Sequence, residues 1–328
     1  MPPEMTRRTA IAALLSFACP VGYAQKIAKI GWLTLSANGT YAEITSRGYL
    51  TGLREAGFVE GRNLVIERRS AEGDVRKLPA LARELVAASV DVIFAPAKVM
   101  ADAAWYASRK IPTVIATVTD PVVVEYALSL ARPGKHITGV TTASAELIGK
   151  RMQLLAEIVP GLKRVAIPID PDMLASCTEE MKLMDEAARK LGITMIRVPL
   201  TSAAPDVVDA AVRAAVAAKA QALGTAPMSS NYNAAERLAE VARRHGLPFV
   251  HDNPQLAREG LLVYGPDFED IFRRAGHATA RILKGGVPAE MAIEEPRNFQ
   301  LIVNVATARS LGLTIPQGVL LRADKVIQ

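Results

Sequence analysis

The chain has 328 residues, half of them hydrophobic and only 5% aromatic, with a formal charge of +6. That length exceeds what one small domain needs and suits two lobes, each burying its own core of Ala, Val, Leu and Ile. The charged fraction, 22%, is that of an ordinary folded protein, and the basic residues alternate with acids, as in Glu60, Arg62, Glu67, Arg68, Arg69 and Glu72. Extensive disorder and a nucleic-acid-binding stripe are both excluded on that pattern.

Arg7 and Arg8 precede an apolar run from Ala10 to Ala18, and Gly22-Tyr23-Ala24 places small residues at the two positions a signal peptidase reads. Residues 1–24 are expected to be a cleaved signal peptide, with the mature chain starting near Gln25 in the periplasm. The run is well short of the roughly 20 residues that a membrane-spanning helix needs. Lipoprotein processing at Cys19 is the alternative, disfavoured by bulky Phe17 in the cleavage site. Thr6-Arg7-Arg8 resembles a twin-arginine signal, but the residues after it fit weakly, so general export is the simpler expectation. Cleavage after Ala24 leaves Cys177 as the sole cysteine, which rules out an intramolecular disulfide. Cys177 reads as a small buried hydrophobe near a helix start.

From Ile27 onward, strand and helix patterns alternate. Ile27 to Leu35 reads as a strand, Tyr41 to Ala56 as a helix stopped by Gly57, and Leu64 to Ile66 as a second strand. Leu78, Leu81, Ala82, Leu85 and Val86 then form one helix face. Val90 to Phe94 and Thr113 to Thr117 are apolar without alternation, as in a parallel sheet covered on both faces. Ile137 to Thr141 opens a second series. It continues with helix Ala145 to Val159, strand Arg164 to Ile169, helix Leu174 to Leu191 ended by Gly192, and strand Thr194 to Val198. Asp206 to Ala218 is an Ala-rich helix, Ala222 to Gly224 leads into a loop, and Tyr232 to His245 is a helix stopped by Gly246. Phe249 to His251 is expected to close the second sheet. Leu261 to Tyr264, a helix Phe268 to Lys284 and a strand Gln300 to Asn304 follow. The tail, with Leu313, Ile315, Leu320 and Leu321, is too apolar to hang loose. Two doubly wound series in succession imply a cleft lined by the loops at the carboxyl ends of facing strands.

Common enzyme signatures are missing: no GxGxxG follows the first strand, and neither a phosphate-binding loop nor a GxSxG elbow occurs. The histidines, His136, His245, His251 and His277, are widely separated. His251 with Asp252 is the one local acid-base pair at a strand end. A ligand contact or structural hydrogen bond suits it better than catalysis, because no nucleophile accompanies it.

The segments GLREAGFVEGRNLVIERRSAEG (52–73), LPALARELVAASVDVIFA (78–95) and SLARPGKHITGVTT (129–142) resemble the ABC-transporter substrate-binding proteins with a type I periplasmic-binding-protein fold. So, in order, do VPGLKRVAI (159–167), YGPDFEDIFRRAG (264–276), ILKGGVPAEMAIEEP (282–296) and ATARSLGLTIPQGVLLRADKVI (306–327). The resemblance spans essentially the whole mature chain. It implies an α/β protein of two Rossmann-like doubly wound lobes joined by three crossovers, near Gly139 to Thr141, Leu262 to Gly265 and Glu294 to Asn298. Lobe 1 then comprises 25–139 plus 265–295, and lobe 2 comprises 140–264 plus 296–328. It further implies a monomeric receptor without metal, cofactor or catalytic activity, handing a small solute to a membrane permease. Some related members are implicated in aromatic amino-acid uptake. One departure concerns the loop after the third or fourth strand: members often have GTPAA where this chain has Ala97-Lys98-Val99-Met100-Ala101. If Lys98 faces the cleft, it favours an anionic group on the ligand; the competing reading lets it snorkel to solvent.

Strand-end logic selects Ser36, Asn38, Thr40, Tyr41, Ala97, Lys98, Thr119 and Asp120 as ligand contacts from the first lobe. From the second it selects Asp170, Asp172, Thr225, Met228, Ser229, Asp252 and Asn253, with Tyr264 at a crossover. Helix-opening N–H groups offer a seat for a carboxylate, and a carboxylate of the second lobe could pair with an ammonium. Helix capping, turn formation before proline (Asp120, Asp170) and hinge packing (Tyr264) are the competing roles. An exported cleft enzyme using His251 and Asp252, and a clamp-type ligand sensor, are the rival functions.

Overall fold

The computed structural model describes residues 27–119, 125–142, 144–256 and 260–328. The leader calls, Cys19 included, and Asp120 lie outside the described residues.

Five parallel strands form the first sheet: β1 (Ala28–Thr34), β2 (Leu64–Ser70), β3 (Val92–Phe94), β4 (Thr113–Val118) and β5 (Ile137–Thr141), in the order β2-β1-β3-β4-β5. The apolar runs are continuous because both faces are covered. Ile30, Trp32, Val92 and Phe94 pack under helices α1 (Thr40–Glu55) and α8 (Phe268–Leu283). Leu33, Ile93 and Ala95, on the opposite face, pack with α2 (Leu78–Ala87) and α3 (Lys98–Ala107). Neighbours one residue apart thus serve different cores, the two-residue period of a strand.

The second sheet holds β6 (Arg164–Ile169), β7 (Thr194–Pro199) and β8 (Ala222–Leu223) in the order β7-β6-β8. A bridge from Leu223 to Phe249 carries it on to β9 (Val250–His251), β10 (Leu262–Pro266), β11 (Phe299–Asn304) and β12 (Lys325–Ile327). Helices α4 (Ser144–Ile158), α5 (Thr178–Lys190), α6 (Pro205–Ala217) and α7 (Ser229–Arg244) accompany these strands, and α9 (Val305–Ser310) and α10 (Gln317–Leu320) fold the tail down before β12. Phe249 to His251 therefore does not close this sheet. Three more strands continue it, and β10 and β11 run antiparallel. The cause is topological: β10 leads out of this lobe toward α8, and β11 leads back in, so two crossovers lie side by side in opposite directions.

The third crossover follows β5, where Thr141 N–H donates to the Glu294 carbonyl at 2.8 Å and Glu294 N–H donates to Gly139 at 2.8 Å. Gly139 has φ +143°, and a Cβ there would lie 2.0 Å from the Ile115 carbonyl oxygen, so no other residue fits. Arg274 of α8 clamps the segment bridged to β5, donating to the Glu294 carboxylate at 3.0 Å and to the Glu295 carbonyl at 2.9 Å. Among the described residues no helix is long and apolar enough to cross a membrane.

The helix expected over Leu174 to Leu191 begins later. Asp170 caps a 3-10 turn over Pro171–Cys177, its Oδ1 accepting from Asp172 N–H at 3.1 Å, and α5 starts at Thr178. At α8 the cap also serves the crossover: Asp267 Oδ1 accepts from Asp270 N–H at 3.2 Å and from Gln255 Nε2 at 2.8 Å. Asp267→Ala is expected to lower stability by about 1 to 2 kcal/mol in urea unfolding, since both a helix cap and an interlobe bond are lost. A change below about 0.3 kcal/mol would show that the cap contributes nothing.

Candidate functional site

The ends of strands from both sheets turn toward one cleft, and what they bring there follows from the helices they feed. Helix α1 opens at Gly39, α3 at Ala97 and α7 at Met228, and none of the three has a side-chain cap. Uncapped first-turn N–H groups carry partial positive charge, so α3 and α7 point two such ends into the cleft from opposite lobes.

Two compartments flank Ser229. The larger, about 740 Å³ when the space open to solvent is included, is lined by Trp32, Leu35, Ser36, Tyr41, Pro96, Met100 and Asn233, among others. The smaller, about 380 Å³ when the space open to solvent is included and otherwise narrow, is walled by Ala97, Lys98, Thr117 and Thr119 from the first lobe. Its opposite wall comprises Met173, Ser176, Cys177, Glu180, Pro227, Ser229 and Tyr232. Both lobes therefore contribute to one space. Across it, Tyr41 stacks on Tyr232 with ring centroids 4.9 Å apart and planes 13° from parallel. Thr119 Oγ1 donates to Glu180 Oε1.

The polar groups differ in what already satisfies them. Lys98 Nζ bonds both Asp102 oxygens at 3.1 Å, Glu125 Oε2 at 2.9 Å and the Tyr126 hydroxyl at 3.2 Å. Burial disfavours its charge, but Glu125 and Asp102 outweigh burial and hold the ammonium above its ordinary range. Lys98 is thus neither a free cation for an anionic solute nor a side chain extended into solvent. Its countercharge comes from its own lobe. Glu180 is only 4% exposed, its Oε2 has no hydrogen-bond partner, and burial raises its carboxyl above the usual range. Beside it, burial pushes the Cys177 thiol up to about 12, which makes it an inert wall residue.

The remaining predicted residues divide. Ser36 borders the larger compartment, with its hydroxyl turned to the Asn38 carbonyl at 3.1 Å, while Asn38 is exposed outside both compartments. Thr40 begins α1 and lies outside both. The Tyr41 hydroxyl lies 3.4 Å from Thr117 Oγ1. Asp170 is spent on its cap, Asp172 lines a surface groove against α2 and α3, and Thr225 reaches neither compartment. Met228, at 0% exposure, sends its side chain into the core rather than the cleft; only its backbone serves α7. Tyr264 packs against the same core, and its carbonyl accepts from Arg151 at 3.1 Å, which is the hinge role. Asp252 Oδ2 accepts from the Tyr232 hydroxyl at 2.9 Å, and Asn253 caps the turn over Pro254–Leu256 through Gln255 N–H at 2.9 Å.

His251 and Asp252 do not form an acid-base relay. His251 Nδ1 accepts the Asn253 N–H at 2.8 Å, so it has no proton to share with Asp252 Oδ1 at 3.4 Å. The imidazole is fully buried, which depresses its basicity and keeps it neutral. Thr117, Ser176, Glu180 and Tyr232 were missed because they lie on a strand or within and beside helices rather than in the loops where strand-end logic looks. Glu179-Glu180 reads from sequence as an ordinary pair of first-turn acids.

A profile described as "ABC transporter substrate binding protein" matches residues 34–327. A tyrosine-binding protein of Clostridioides difficile (strain R20291) is 23% identical over 268 residues, 81% of this chain and 76% of that one. A conserved domain protein of Vibrio cholerae is structurally similar with a TM-score of 0.82 and 27% identity, covering 92% of this chain and 100% of that one. A Streptococcus pneumoniae ABC domain in complex with L-Trp has a TM-score of 0.79 at 22% identity, covering 92% and 99%. The architecture is that of the type I periplasmic binding proteins.

Proposed function

Because the chain belongs to the family of ABC transporter substrate-binding proteins, we propose that it is the exported receptor of an importer, capturing an amino acid between its lobes and delivering it to a membrane permease. One observation carries the reading: the uncapped N-termini of α3 and α7 approach a single compartment from opposite lobes. A solute carboxylate seated there accepts N–H bonds from both lobes at once, and only such shared contacts favour a closed clamp over an open one. The larger compartment, with Trp32, Leu35, Tyr41 and Pro96, suits an apolar or aromatic side chain. The tyrosine-binding relative and the structure holding L-Trp support an amino acid as the solute class. The leader pattern of Arg7, Arg8 and Ala10 to Ala18 supports export.

A thermal-shift screen with amino acids, aromatic acids and sugars tests this. A true solute raises the melting midpoint progressively with concentration, by roughly 2.7 kcal/mol of stabilisation at about 100 times its Kd. Stabilisation by sugars with none by amino acids would refute the assignment.

A further inference from the structure

We propose that Glu180 selects the solute: its buried, unpartnered Oε2 receives a positively charged hydrogen-bond donor, so the cleft takes amino acids or amines in preference to the corresponding acids. This rests on the receptor reading and narrows it.

Glu180 is the third residue of α5, and it reaches out of the second lobe to meet Thr119 of the first. One of its oxygens is thereby engaged across the cleft, while the other is buried and without a partner. Groups facing it include the Thr119 hydroxyl, the Cys177 thiol, and more remotely Lys98 and Glu125. Among the described residues of the smaller compartment, Lys98 is the one cation, and Asp102 and Glu125 already answer it. The wall therefore has a carboxylate to spare and no free cation. A neutral hydroxyl could donate to Oε2 but would leave the buried charge unmatched, whereas an ammonium satisfies both. A metal ion is a poor alternative, since no group of three metal-binding side chains occurs among the described residues. The uncapped ends of α3 and α7 border the same compartment.

The test compares Glu180→Gln with the unaltered protein by calorimetric titration. Probes are L-tyrosine, tyramine and 3-(4-hydroxyphenyl)propionate, with L-tryptophan, tryptamine and indole-3-propionate as a second set. Glu180→Gln is expected to weaken the amine-bearing probes roughly tenfold to a hundredfold and to leave the acids without an amine within about threefold. The unaltered protein should bind amines more weakly as pH falls through the raised range of Glu180, because its proton must leave before the ammonium docks, and the variant should show no such dependence. Equal losses for amines and acids, or undiminished amine binding by the variant, would overturn the inference. Binding of the acids in preference to amines by the unaltered protein would also overturn it while leaving the receptor reading intact. Binding of no probe by either protein would overturn both.

Discussion

Gly52→Ala is expected to destabilise the protein by roughly 3 kcal/mol or more, although it adds one methyl group to a helix. The reason is the crossing of α1 and α8. A Cβ at Gly52 would lie 1.9 Å from the Arg273 carbonyl oxygen, and at Gly48 and Gly276 it would meet the Glu269 and Tyr49 carbonyl oxygens at 2.5 and 2.4 Å. These obstacles are backbone atoms, so relief requires the helices to separate. Separation would strip contacts from Tyr49, Leu53, Phe268 and Phe272 in the core they share. Helix α8 also carries the chain between two crossovers, so its displacement disturbs the hinge as well. Gly318→Ala is the control, because it lies in α10 with no atom within 4 Å of the added Cβ. There the same substitution is expected to be neutral or to stabilise by up to about 1 kcal/mol. Similar urea midpoints for the two variants would show that α1 and α8 do not cross backbone to backbone.

Tyr232→Ala is expected to cost about 3 to 5 kcal/mol and to weaken solute binding at least tenfold. It removes the ring stacked on Tyr41 across the cleft and leaves Asp252, buried beside His251, without its hydroxyl donor. Tyr232→Phe keeps the ring and separates the two contributions. Its expected cost, about 1 to 3 kcal/mol, is that of leaving a buried carboxylate oxygen without its donor, with solute affinity nearly retained. Equal losses of affinity in the two variants would show that the ring stack does not hold the lobes together.

The strands of the first sheet were legible because their signal is local. Val92 to Phe94 is apolar at every position since helices cover both faces, and that pattern survives in any register. Strand direction leaves no such mark: Leu262–Pro266 and Phe299–Asn304 look like their parallel counterparts, and only the route through α8 sets them antiparallel. The site was legible as loops and illegible as charges. Lys98 and Asp102 are four residues apart on one helix, but Glu125 and Tyr126 complete the cluster only through the tertiary fold. Met228 and Tyr264 occupied the right chain positions, yet side-chain direction sent both into the core. Glu180 was overlooked because an acid in a first turn is ordinary, and its partner, Thr119, lies 61 residues away.

The central claim is that one solute occupies the space where both lobes meet. Ala97→Trp fills the smaller compartment from a half-buried position at the start of α3, leaving the Tyr41 and Tyr232 pair in place. Calorimetric titration of an amino acid into the unaltered protein should give one site per chain, and the filled variant, still unfolding cooperatively, should give none. Undiminished one-to-one binding by Ala97→Trp would place the solute elsewhere and contradict the account.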